Sequence, residues 1–174
     1  MCWTCKKPDR KLANTNIHVF KLVYYDMAGN IYSVYNNFKY EINWLYTKHI
    51  PKKFKFEIDN ETGDRIIRGE MFHSYKYSKI YFKIKDNLFD AYKSKIVLFT
   101  THRSGIAFKH AILDIMFTYS QKYDCKLGVM KCIIPKGATY YLNSDGEYVS
   151  NAIKPYKLID IESYVKLSET YKRR

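Results

Sequence analysis

Acidic residues are scarce in this 174-residue chain, where 17 Asp and Glu face 30 Lys and Arg for a formal charge of +13. A field of that sign excludes polycations as natural partners and suits a nucleic acid or an acidic protein. Runs of apolar residues are short, and none approaches the 18 or so that a membrane-spanning helix needs. The opening MCWTCKKPDRK carries no apolar core after its charges, which speaks against a secretory leader and for a cytosolic chain. Only four cysteines are present, and in that compartment they are expected as free thiols.

Glycine and the motifs built on it are also sparse. With 7 Gly, the chain has neither a phosphate-cradling Gly-rich loop nor a Gly-x-Ser-x-Gly elbow. His, Asp and Glu show no zinc-protease or deaminase spacing. Cys2 and Cys5 have the spacing of a zinc knuckle, but Cys125 and Cys132 stand seven apart, so no metal site is expected. An N-terminal Cys2 acting as its own base lacks an oxyanion site beside it.

What is abundant is the material of sheets. The hydrophobic fraction is 47% and the aromatic fraction 17%, enough for one folded domain with a core. The segment IHVFKLVYY (17–25) reads as a buried strand, DMAGN as a turn and IYSVY as the returning strand. KKFKFEI alternates, with Phe54, Phe56 and Ile58 on one face and Lys53, Lys55 and Glu57 on the other. Further on, Ile80, Phe82 and Ile84 share a face opposite Lys79, Tyr81, Lys83 and Lys85. Lysines alternating with a stackable ring make that second face, with Lys53 and Lys55, the expected contact for nucleic acid or an acidic partner.

Helical spacing is clearest over 104–123, where Phe108, Ala111, Ile112, Ile115, Met116, Tyr119 and Tyr123 form one stripe. The end of the chain reads as a strand and a last helix, with Asp160 as N-cap. The expected architecture is therefore α+β: a single domain over 16–174, mainly antiparallel sheet with one long helix (104–123) and a C-terminal helix. Residues 1–15, polar and basic, are expected as a flexible arm.

The boxes NFKYE (37–41), GEMFHSY (69–75) and IPKG…GEYVS (134–150) resemble those of a family of small proteins found in bacteriophages and in Bacteroidetes. That resemblance implies a phage or mobile-element protein in the host cytoplasm that engages a host defence component, its RNA or a nucleotide signal, and so a binder rather than an enzyme. The closing stretch also resembles the last strands of ADP-ribosyltransferases, in which IPKG precedes a catalytic glutamate. This second resemblance implies Glu147 as the catalytic residue, His73 and Ser74 lining the cleft, and His18 or Lys21 anchoring NAD. The usual first-strand arginine and Ser-Thr-Ser strand are missing, and Asp145-Gly146 alone accounts for a turn before Glu147. A third reading is a structural or packaged virion component. The favoured one needs no cofactor and no membrane.

Overall fold

The computed structural model describes residues 3–33, 38–76, 126–160 and Ser163. These residues form thirteen strands and the turns between them. They fall into two compact units, one of Met1–Lys21, Ile42–Lys79 and Met130–Leu158, the other of Leu22–Glu41, Ile80–Val129 and Ile159–Arg174.

The first unit begins with β1 (Trp3–Cys5) and β2 (Lys11–Leu12), followed by the first half of β3 (Ile17–Tyr25). The hairpin β4 (Ile31–Ser33) and β5 (Lys39–Tyr40) belongs to the second unit. Back in the first unit come β6 (Tyr46–Thr47), β7 (Glu57–Ile58), β8 (Arg65–Ile67) and β9 (Phe72–Tyr75). The chain closes with β10 (Lys126–Ile134), β11 (Thr139–Leu142), β12 (Glu147–Ser150) and β13 (Ala152–Asp160). The main sheet runs β2-β11-β12-β9-β3-β10-β13-β6, and a three-stranded sheet runs β1-β8-β7.

In the first unit the pairs β2–β11, β11–β12, β12–β9, β9–β3 and β13–β6 are all antiparallel. The two-residue strands β2 and β6 end the main sheet, so each edge offers few open backbone groups to a stray strand. The smaller sheet packs on β11 and β12: Trp3 and Ile67 meet Tyr141 and Val149 in one cluster with Ile50 and Met71. Trp3 is completely buried, its ring centroid 6.1 Å from that of Tyr141, and its Nε1 donates to the carbonyl of Glu147 at 2.9 Å. Phe54 and Phe56 lean on the same cluster while Lys53 and Lys55 stay exposed, as the alternation of KKFKFEI requires. Ile58 breaks that alternation and is 52% exposed.

In the second unit, DMAGN makes the expected turn. The Asp26 carboxylate accepts from Asn30 N (2.8 Å) and Asn30 Nδ2 (2.9 Å), and Gly29 supplies φ +84°. Val23, Tyr24 and Tyr25 then pair with Ser33, Tyr32 and Ile31.

Two expectations change. The described residues are antiparallel β with no helix among them, so the fold is β-rich and not α+β. FKYEINWLYTK (38–48) divides into β5, a turn and β6, because each half finds a partner strand. The helices read at 104–123 and after Asp160 lie outside the described residues, although the Asp160 carboxylate does accept from Ser163 N at 2.8 Å. The segment read as a loose arm is pinned instead. Trp3, Thr4 and Cys5 pair with Ile67, Ile66 and Arg65, and Ala13 exchanges backbone bonds with Gly137 and Ala138.

Candidate functional site

The residues singled out from the sequence meet in the first unit, around β9. Along an antiparallel ladder, directly opposed residues share a face and successive residues alternate. Ser74 opposes Tyr148, His73 opposes Val149 and Tyr75 opposes Glu147. Phe20 opposes Tyr75, which puts Lys21 on the face of Ser74. Lys21, Ser74 and Tyr148 thus occupy one side of the sheet, and His73 and Glu147 the other. The set implied by the ADP-ribosyltransferase resemblance is divided between two faces.

At the centre, the Lys21 ammonium donates to the carbonyl of His73. Burial strips it of water and, helped by the nearby Lys48, pulls its pKa down to about 8, although a neighbouring thiolate at Cys132 would raise it. His73 Nε2 donates to the carbonyl of Arg68 at 2.9 Å, which leaves Nδ1 without the proton in the neutral ring. Desolvation first, then the Lys21 charge, lowers its pKa to about 4. Cys132 is fully buried, and the same desolvation pushes its thiol up to about 12. At neutral pH the three are therefore an ammonium, a neutral imidazole and a protonated thiol. Thiol and imidazole are both far from the value that proton transfer near pH 7 asks for. Ser74 is wholly buried and its Oγ has no hydrogen-bond partner among the described residues. Lys48 lies over the Phe72 ring at 4.6 Å and donates to Gly69 O at 2.9 Å.

Glu147 is the closing residue of a hairpin turn. Asn143 N donates to Glu147 O, Gly146 N donates back to Asn143 O, and Gly146 takes φ +76°. This is a turn followed by a left-handed glycine, the usual three-residue hairpin loop. The Asn143 side chain does the bracing: Oδ1 accepts from Asp145 N (3.1 Å) and Glu147 N (2.9 Å), and Nδ2 donates to Thr4 O at 3.1 Å. The Glu147 carboxylate has no partner among the described residues. His18 is exposed on β3, its Nδ1 3.3 Å from the Tyr156 hydroxyl.

The basic residues tell a different story. Lys79, Tyr81, Lys83 and Lys85 lie outside the described residues. Lys53 and Lys55 are exposed, and the fold adds to them. Arg10 Nη1 donates to the carbonyls of Pro51 (2.8 Å) and Lys52 (3.0 Å), which brings a cation from the first segment of the chain to Lys52 and Lys53. Nothing in the sequence linked Arg10 to positions forty residues away. Lys6, Lys7, Lys52, Lys53 and Lys55 are exposed without an ion-pair partner among the described residues. Ion pairs among the described residues include Arg68 with Glu57 at 2.9 Å and Lys11 with Asp9 at 3.9 Å.

Cys5 and Cys132 are free thiols, and Cys2 and Cys125 lie outside the described residues. No helix among the described residues is long and apolar enough to cross a membrane. No family model, curated protein or solved structure matches this chain.

Proposed function

We propose that this protein is a non-enzymatic nucleic-acid-binding protein that contacts phosphates through its exposed lysines and Arg10. The observation that carries the reading is the contrast between interior and surface. The titratable groups at the centre are buried and turned to backbone carbonyls, whereas Lys6, Lys7, Lys52, Lys53 and Lys55 are exposed with no ion-pair partner among the described residues. Unpaired surface lysines release counterions on meeting a phosphate backbone, a favourable term that needs no pocket. The bacteriophage-family resemblance supports RNA, free or within a host defence ribonucleoprotein, as the natural target, met in the host cytoplasm.

The test is fluorescence anisotropy with a labelled single-stranded RNA across 50–300 mM salt. Log affinity is expected to fall linearly with log salt, by about 0.7 per phosphate contacted. The triple change Lys52→Glu, Lys53→Glu and Lys55→Glu is expected to weaken binding and flatten the slope. Absence of binding at the lowest salt, or an affinity indifferent to salt, refutes the proposal.

A further inference from the structure

Arg10 is fixed by one half of its guanidinium. Nη1 donates to the carbonyls of Pro51 at 2.8 Å and Lys52 at 3.0 Å, which occupies both of its hydrogens. The fold anchors each end of that contact. Lys11 and Leu12, which follow Arg10 directly, pair with Tyr140 and Thr139 in the main sheet. Ile50, which precedes Pro51, is buried in the cluster around Trp3. The plane of the guanidinium is therefore set before any ligand arrives, and binding would order little that is not already ordered.

What remains is the edge formed by Nε and Nη2. Arg10 is exposed, and neither atom has a partner among the described residues. The same edge of Arg68 shows what it can hold. There Nε donates to Glu57 Oε2 at 2.9 Å and Nη2 to Oε1 at 3.0 Å, a two-point grip on one carboxylate. Arg10 has no such acid among the described residues. The carboxylate of Asp9, its neighbour in sequence, lies 3.9 Å from the Lys11 ammonium. Residues 42–56, which include the carbonyls that receive Nη1, contain no Asp or Glu. An open two-point donor of fixed orientation, in a chain of charge +13, matches the two non-bridging oxygens of a phosphodiester. A lysine ammonium, a point charge on a flexible stem, reads the charge alone.

We propose that the Nε–Nη2 edge of Arg10 is a clamp for a single backbone phosphate of the bound nucleic acid. This assignment rests on the nucleic-acid-binding reading and divides its contacts in kind. One phosphate is gripped at two points by Arg10, and the exposed lysines meet others through charge. The two kinds respond differently to an exchange of arginine for lysine, which preserves charge and removes the fork.

The experiment is fluorescence anisotropy of a labelled 15-mer of uridylate at one low salt concentration, with the wild type and Arg10→Lys. The variant keeps the net charge and a donor for Pro51 O, and is expected to bind about tenfold more weakly, the loss of one charge-assisted hydrogen bond. A second readout needs only the folded wild type. In isotope-labelled protein, the Arg10 Nε–H resonance, assigned by its loss in Arg10→Lys, is expected to shift as the oligonucleotide is added. Equal affinity of the variant and the wild type, or an Arg10 Nε–H unmoved by saturating oligonucleotide, overturns the clamp and leaves the lysine-based reading intact. No binding by the wild type overturns both. A shift of that resonance with a poly-glutamate peptide, and none with the oligonucleotide, assigns the edge to a carboxylate and also overturns the proposal.

Discussion

Lys21→Met tests whether the centre of the main sheet holds a cation against its preference. The folded protein depresses the Lys21 pKa from 10.5 to about 8. Between those values the unfolded chain binds the proton and the folded chain does not, so stability rises with pH across that window. Integrating the two titrations, the penalty for holding the charge is about 3 kcal/mol at pH 7.5 and about 1.5 kcal/mol at pH 9.5. Methionine has similar length, no charge and no proton to lose. The stability difference between the two proteins is therefore expected to move by about 2 kcal/mol between these pH values, in favour of the wild type as pH rises. Tyrosines titrating in the same range act equally on both proteins and cancel in the difference. Urea unfolding at both pH values, with matched m-values, reads it directly. Parallel stability profiles, with a difference constant within about 0.5 kcal/mol, would show that Lys21 is solvated in the folded state.

His73 gives the acid-side counterpart. Its folded pKa of about 4 lies below the usual 6.5, so its contribution is intact above pH 6.5 and is lost as pH falls towards 4. His73→Gln, which keeps a donor for Arg68 O, is expected to flatten stability over that interval; an unchanged acid limb in thermal melts would contradict the assignment. At the hairpin, Glu147→Gln is expected to shift stability by no more than about 0.5 kcal/mol. Asn143→Ala strips the three hydrogen bonds made by a buried side chain and is expected to cost about 2–3 kcal/mol, measured by urea unfolding. A larger effect at Glu147 than at Asn143 would reverse the roles given to these residues.

Local chemistry made the hairpins legible. Asp26 through Asn30 and Asn143 through Glu147 are turns whose residue types dictate their own geometry, and the β-branched and aromatic strands beside them could be read directly. The turn that sets Glu147 at the start of β12 followed from Asp145-Gly146 for the same reason. Trp3 was not legible: flanked by Cys2 and Thr4 in a basic stretch, it is buried because β8 and the Tyr141 ring, far along the chain, close over it. Lys21 was legible as a strand residue but not as a desolvated one, since only pairing with β9 places it against the His73 carbonyl. Arg10 reached Lys52 through side-chain bonds to backbone carbonyls that no periodicity announces. In each case the missing information was a partner distant in sequence.

The pinned N-terminus has a consequence for how the chain is made. Its first strand needs residues 65–67, and its first tryptophan donates to the carbonyl of Glu147, a separation of 144 residues. Such distant pairings slow folding, because the loop must close before any contact rewards it. On the ribosome, the opening segment emerges first yet waits until β12 has been synthesised before Trp3 can be enclosed. During that interval an indole and two open strand edges stand available to chaperones or to a neighbouring nascent chain. A bulky fusion placed ahead of Trp3 would prolong that exposure, whereas one placed after residue 174 would reach the molecule once this closure is possible.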